Sequence, residues 1–264
     1  MLTGLEISKT FPKGTQDIDV STSDVINIIV TRFFLVTFRG HRFKDLVFDE
    51  YKYLEFRCNL FMKVCYPSII SQLSESDRWY LFVSEPFIDY VKEKLGNIDK
   101  RVIICDYNRE LLLKEIDSYI TDNKLPCVTR IDNDDTLSLE YVRLMNRVSK
   151  KLSETNDYGF IMFPCGLQMD LIKNDCRWYT YNITHTFSVF YKFPVFKKPE
   201  LWIWSFNHTK LYESNINITA CNTTLPMWIE NVSDTNQINS VRPNLVKIDL
   251  KSPVLMKIFP SLFK

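Results

Sequence analysis

The sequence predicts an α/β protein whose mostly parallel sheet is flanked by helices in a single compact domain. Three observations carry that prediction. Short apolar runs rich in β-branched residues alternate with segments of helical period up to about residue 150, the pattern of strands joined by helical crossovers. Of 264 residues, 45% are hydrophobic and 25% charged, proportions that suit a chain with a sizeable core. No internal repeat or low-complexity linker divides the chain. The expected organisation is an N-terminal segment over residues 1–24, one half over 25–150, and a second half of the same domain over 151–264.

The elements follow in order. Val25-Ile-Asn-Ile-Ile-Val30 is a β-branched apolar run that turns polar at Thr31-Arg32, as a buried strand does where it emerges. From Tyr53 to Leu73, residues Leu54, Phe61, Val64, Cys65, Ile69 and Leu73 recur at helical spacing, and Pro67 predicts a break or kink near the middle. Trp79–Val83 reads as a second strand. Ser84 and Pro86 then mark a helix start, Phe87, Ile88, Val91 and Leu95 its apolar face, and Gly96 its stop. Arg101–Cys105 is a third strand with Asp106 at its carboxyl end. A helix through Leu111, Leu112, Ile116 and Ile120 leads to the apolar fragment Cys127–Ile131, then to Asp132-Asn-Asp-Asp135, then to a helix through Leu139, Val142, Met145 and Leu152. Beyond Tyr158, the runs Gly159–Phe163, Phe187–Tyr191 and Leu201–Trp204 are separated by Pro and Asn. They predict strands and loops that complete the sheet and build a second wall.

Composition removes several function classes. With 33 basic and 32 acidic residues the net charge is +1, so no whole-molecule field attracts nucleic acid, and no nucleic-acid partner is expected. The six glycines stand alone and cannot spell a dinucleotide loop, a phosphate loop or a nucleophile elbow. Seven cysteines without a CxxC pair suggest free thiols rather than a disulfide framework. His41, His185 and His208 lack the spacing of a zinc hydrolase. Aromatic residues reach 14%, for which a core is the plainer reading than sugar-stacking surfaces. The opening residues lack the apolar run of a signal peptide, so the expected location is cytoplasmic. The sequons at Asn182, Asn207, Asn217, Asn222 and Asn231 are accordingly read as Asn-rich composition.

The informative chemistry is the acidic run. In open α/β sheets ligands bind beyond the carboxyl ends of the strands, where Asp132, Asp134 and Asp135 are expected. In extended backbone Asp132 and Asp134 would face one side, with Asp135 starting the turn into the next helix. Such carboxylates suit a hard cation, Mn2+ or Mg2+, shared with a diphosphate. The structural alternative is that Asp134, Asp135 or Thr136 caps the following helix. A calcium-binding EF-hand does not fit, because Leu137 and Arg143 occupy the places of its Gly and Glu.

Several segments together resemble the bacterial rhamnosyltransferase-like family, within the glycosyltransferases of GT-A fold that carry a DxD metal motif. They are Thr31-Arg-Phe33, Arg57 with Phe61, Tyr66-Pro-Ser-Ile69 with Gln72, Trp79, Thr129-Arg-Ile-Asp-Asn-Asp-Asp135, Gly159-Phe160 with Pro164 and Gly166, His208-Thr209, and Trp228. The Thr129–Asp135 segment is the specific one. The resemblance implies a GT-A-like sheet, a nucleotide-sugar-binding half over 25–150 and an acceptor-binding half over 151–264. It implies Asp132 near the donor ribose or sugar, a metal on Asp134 and Asp135, Arg130 on a phosphate or the donor sugar, and Thr31 and Arg32 beside the base. Asp106 is a further candidate for base or ribose contact. The alternative for Arg130 is an ion pair with a neighbouring Asp.

One departure stands out: the family pattern places His-Gly five residues after the tryptophan corresponding to Trp228, whereas this chain has Ser233-Asp234. Asp234 is then a candidate replacement ligand or a candidate catalytic base, alongside Glu230, Asp170 and His208. The expected function is metal-dependent transfer of a sugar, rhamnose by the family's name, from a nucleoside diphosphate sugar to a hydroxyl of a surface glycan or lipid-linked glycan. The rivals are a non-catalytic glycan- or nucleotide-binding protein and a phosphodiester or nucleotidyl transferase. The segment Lys251–Lys264 mixes apolar residues with lysines. It is read either as a packed tail or as a peripheral contact with the inner face of the membrane.

Overall fold

The computed structural model describes residues 23–36, 49–180, 186–205, 216–233, 242 and 244–262. Twelve strands occur among them: β1 (Val25–Phe34), β2 (Arg78–Val83), β3 (Val102–Cys105), β4 (Leu125–Arg130), β5 (Thr136–Leu137), β6 (Tyr158–Met162), β7 (Cys165–Asp170), β8 (Asp175–Thr180), β9 (Phe187–Tyr191), β10 (Ile218–Ala220), β11 (Trp228–Val232) and β12 (Lys247–Ile248). The helices are α1 (Glu50–Leu60), α2 (Tyr66–Ile70), α3 (Ile88–Leu95), α4 (Arg109–Thr121), α5 (Tyr141–Ser153) and α6 (Pro253–Ile258).

The apolar runs of the first half lie side by side as β3-β2-β1-β4, all parallel. Antiparallel β9 pairs with β4 and β6, and β10 runs parallel to β6, completing a mixed sheet of seven strands. One sheet therefore carries strands from both halves of the chain. Alternation along β1 sorts its side chains: Val25, Ile29 and Phe33 pack with α1, α3 and α5, whereas Ile26, Ile28 and Val30 pack with Leu112, Leu113 and Ile116 of α4. Covering both faces is what makes these strands read as continuous apolar runs. Each fully buried large side chain, such as Trp79 or Phe190, contributes about 1.5–3 kcal/mol. Buried Asp77 pins the start of β2 to β1, accepting from the Asn27 amide at 2.7 Å and the Ser74 amide at 2.7 Å.

Three local expectations need correction and one is met. The α-helix is interrupted just before Pro67: Phe61–Cys65 forms a π-turn in which the Tyr66 amide donates to the Phe61 carbonyl, and Pro67 enters α2 in its first turn, where no N–H is needed. Ser84 caps no α-helix; its hydroxyl accepts from the Val36 amide at 2.9 Å and precedes a 3-10 turn over Glu85–Phe87. Asp135 leads into β5 rather than a helix, and α5 begins at Tyr141. Leu201–Trp204 is not a strand: Leu201 ends a 3-10 turn that begins at Pro199, and Trp202 follows it.

The second wall is a separate sheet of five strands, β12-β8-β7-β11-β5. Its strands are short and chemically mixed, so alternation does not announce them. Gly166 of β7 lies against Trp228 of β11, and a Cβ there would fall 2.3 Å from the indole. The face bearing Leu167, Met169 and Ile229 is covered by Leu255, Ile258 and Phe259 of the C-terminal segment. That segment packs, leaving Val254 and Met256 exposed. No described helix is long and apolar enough to cross a membrane.

Candidate functional site

At the carboxyl end of β4 the chain leaves the sheet through Ile131, whose amide still bonds the Val30 carbonyl of β1 at 3.2 Å. It then folds back. The Asp135 amide donates to the Asp132 carbonyl at 3.2 Å, closing a turn over Asn133 and Asp134. The run is therefore not extended, and Asp132 and Asp134 do not share a face as two alternate residues of a strand would.

Residues of the first helices clamp this turn. Arg57 of α1 is 6% exposed and sends Nη1 to Asp134 Oδ2 at 2.9 Å and Nη2 to the Asn133 side-chain oxygen. Asn133 Nδ2 in turn donates to the Phe33 carbonyl at 2.9 Å. Ser68 Oγ accepts from the Leu137 amide at 3.2 Å, while Gln72 donates to the Ser138 carbonyl at 2.9 Å and accepts from the Val142 amide at 3.0 Å. From the second sheet, the Asn231 amide donates to Asp135 Oδ1 at 3.3 Å and its Nδ2 donates to the Asp134 carbonyl at 2.7 Å. Burial draws the Arg57 guanidinium down, but Asp134, with Tyr53 and Asp132, more than offsets it and holds the group above its ordinary value.

The other face of the sheet is different. Arg130, the last residue of β4, is 4% exposed, and its guanidinium lies 5.7 Å from the Phe187 ring centre on neighbouring β9. Among the described residues its guanidinium has no hydrogen bond and no carboxylate within ion-pair distance, so the expected alternative, a pair with a neighbouring Asp, is not formed. Burial pulls it down to about 10, Arg32 pushes the same way, and Asp132 and Asp135 only partly oppose them. Arg32, on the same face of β1, lies 5.8 Å from the ring centre of Trp204. Trp204 is half-buried among Phe82, Tyr107 and Trp202, and Trp202 Nε1 donates to Tyr107 Oη at 3.1 Å. Two cations and several rings thus collect where β1, β2 and β4 end, and exposed Asp106 sits just beyond β3.

The remaining candidates divide. Thr31 is fully buried on the opposite face from Arg32 and accepts from Trp79 Nε1 at 3.0 Å, so its side chain belongs to the core and not to a base site. Asp170 holds the β7–β8 turn, its Oδ1 accepting from the Ile172 and Lys173 amides at 3.0 Å each, which makes it an unsuitable base. Glu230 is a buried carboxylate on β11 that accepts from Gln168 Nε2 at 2.7 Å, next in sequence to the Asn231 that touches the acidic turn. Asp234 and His208 lie outside the described residues.

Among the described residues Asp132, Asp134 and Asp135 are not gathered into one three-ligand group, nor are any other three His, Cys, Asp or Glu side chains. Asp134 is engaged by a cation of the chain itself and Asp135 by a backbone amide. The roles of Arg57, Ser68 and Gln72 in holding the turn were not legible as such; only their presence in the family pattern marked them.

Three solved structures match the chain at low similarity. A 4-diphosphocytidyl-2C-methyl-D-erythritol synthase from Anaerococcus prevotii matches with TM-score 0.38 and 11% identity, covering 76% of this chain and 88% of its own. A cytidylyltransferase from Leptospira borgpetersenii serovar Hardjo-bovis matches with TM-score 0.35 and 12% identity, covering 76% of each chain. An inositol-1-phosphate CTP transferase from T. maritima matches with TM-score 0.36 and 12% identity, covering 82% of this chain and 93% of its own. No curated protein sequence matches the chain. The profile of the family described as "Putative rhamnosyl transferase" matches residues 41–245, and that span takes in both the acidic turn and the second sheet: the chain belongs to this rhamnosyl transferase family.

Proposed function

We propose that the chain is a glycosyltransferase that moves a sugar, rhamnose on the family description, from a nucleoside diphosphate donor to a hydroxyl of a surface or lipid-linked glycan. The observation that carries the reading is Arg130: a buried cation without an anionic partner among the described residues, at the carboxyl end of β4, the central strand of the mixed sheet. A diphosphate would supply the missing charge. Arg130 and Arg32 would hold the two phosphates, Trp204 and Tyr107 would offer ring faces to the base or sugar, and Asp132 and Asp106 would accept from donor hydroxyls.

In the transfer, the bond between the sugar's anomeric carbon and the diphosphate oxygen breaks. Its electron pair leaves on the phosphate, and the acceptor oxygen forms the new bond as its proton passes to a base. The two guanidiniums stabilise the departing charge in a site of low dielectric. Glu230 is the carboxylate we assign to the proton, with Gln168 fixing its orientation. The work would be done in the cytoplasm, at the inner membrane face where the acceptor is lipid-linked, with outward-facing Val254, Met256, Lys251 and Lys257 as the surface nearest the lipid.

The test is product identity across a panel of nucleotide sugars. Release of nucleoside diphosphate, lost in Arg130→Met and lowered about 10²–10⁴-fold in Glu230→Gln with donor affinity kept, supports the reading. Release of nucleoside monophosphate would replace it with phosphodiester or nucleotidyl transfer. Binding without turnover would make the chain a nucleotide- or glycan-binding protein.

A further inference from the structure

We infer that Tyr107 binds the nucleoside portion of the donor, its hydroxyl held by Trp202 so that it can only give a hydrogen bond, to a base carbonyl or a ribose hydroxyl. The inference deepens the proposed function and rests on its donor-binding half. Trp202 is 1% exposed, and its indole N–H, which needs a partner once buried, donates to Tyr107 Oη at 3.1 Å. A phenol oxygen is nearly trigonal, with its O–H bond and one lone pair both close to the ring plane. With the lone pair taken by the indole, the proton is turned to the opposite side. Among the described residues none accepts it. Burial raises the pKa of this hydroxyl, more than offsetting the indole hydrogen bond and the charges of Arg109 and Arg32, so the proton is kept at neutral pH. The half-buried ring is itself held, with Phe82 edge-on at 5.1 Å and Trp204 at 5.2 Å.

Its place along the sheet decides which part of the donor Tyr107 meets. Arg130 ends β4, Arg32 lies on β1 and Phe82 on β2, all on one face, and Tyr107 follows just beyond β3. The order β4-β1-β2-β3 puts three interstrand spacings between the first and the last, about 14 Å in all. A diphosphate held at the buried, uncompensated Arg130 therefore extends its nucleoside across the rings toward β3, where the hydroxyl points its proton. Trp202 touches no ligand in this scheme. It is a positioning residue that acts through Tyr107.

Calorimetry with a panel of nucleoside diphosphates and with inorganic pyrophosphate tests this. Tyr107→Phe keeps the ring and should bind nucleoside diphosphate about 3–10-fold more weakly, the loss of one neutral hydrogen bond, with pyrophosphate affinity unchanged. Trp202→Phe should lose less, and should add nothing to Tyr107→Phe, because an indole that acts only through the hydroxyl then has nothing to orient. Additive losses overturn the positioning role. The double variant also removes the indole N–H that Tyr107→Phe leaves without a partner, so it carries the test should the single variant fail to fold. Nucleotides lacking both ribose hydroxyls separate the two acceptors: a Tyr107→Phe loss that vanishes with them assigns the ribose, and one that persists assigns the base. A folded Tyr107→Phe chain whose affinity falls by less than about threefold overturns the inference and leaves the proposed function standing. An equal loss toward pyrophosphate overturns the placement at the nucleoside end. Tyr107-dependent binding by a chain that transfers no sugar keeps the inference and ends the proposed transfer, whereas a wild-type chain that binds no nucleoside diphosphate ends both.

Discussion

Two arginines of nearly equal burial sit on opposite faces of the same sheet end, and their surroundings could hardly differ more. Arg57 is clasped by Asp134 and Asn133; Arg130 has an aromatic ring beneath it and no carboxylate in reach among the described residues. The first is held above its ordinary pKa and the second is pushed down to about 10, although burial acts on both in the same direction. The difference teaches that burial of a charge does not by itself mark function. A compensated guanidinium is part of the framework, whereas an uncompensated one is poised to gain free energy from an anion that the described residues do not supply.

The sharpest way to break this contrast is to delete each cation and read stability and binding separately. Arg57→Met should destabilise the fold by about 3–5 kcal/mol in denaturant unfolding, because buried Asp134 loses the guanidinium that pairs with it. Adding Asp134→Leu should recover much of that loss, and a double variant as unstable as the single one would refute the pairing argument. Arg130→Met should leave stability unchanged or raise it by up to about 1 kcal/mol, yet weaken nucleoside diphosphate binding by about 10–100-fold in calorimetry. A large stability loss there would mean that Arg130 is framework like Arg57. Trp204→Ala should cost a few-fold in the same affinity, about 1 kcal/mol, as ring stacking and the contact with Arg32 are lost.

The smallest effect concerns the thiols. Cys105, half-buried at the end of β3, has its pKa raised by burial to about 11, and Cys58, Cys127 and Cys221 stand at about 12. Because the reactive thiolate is the minor form below those values, alkylation of the native protein should start at Cys105 and speed up roughly tenfold per pH unit between pH 7 and 9. All seven cysteines should alkylate after denaturation without reductant. Fast labelling of a buried cysteine at pH 7 would show that the sheet opens locally.

Much of the first half was legible because its central strands are buried on both faces and α3 and α5 carry a clear apolar stripe. Val25–Val30, Trp79–Val83 and Arg101–Cys105 are strands for the reason the sequence suggests, and Gly96 ends α3 at a φ of +62°. The second sheet was not legible. Strands such as Cys165–Asp170 bury polar residues against other polar residues, Gln168 against Glu230 for one, so hydrophobic alternation carries no signal there. At the site, the acidic run was visible but its conformation was not. Whether Asp132 and Asp134 face the same way depends on a turn closed by Asn133 and on an arginine far earlier in the chain, neither of which spacing can report. Thr31 and Arg32 illustrate the same point at the scale of one peptide unit: adjacent in sequence, they project to opposite sides, and only Arg32 reaches the ring cluster.

The pairing of β4 with β9 has a consequence for how the chain is made. During synthesis the parallel strands β1 to β4 emerge first, and β4 then offers an unpaired row of backbone N–H and C=O groups until Phe187–Tyr191 arrives. A chain stopped near residue 150 would keep that open border permanently and would recruit strands from other molecules. The first half is thus not a module that could be borrowed by another protein. It is an unfinished surface, closed by strands of the second half.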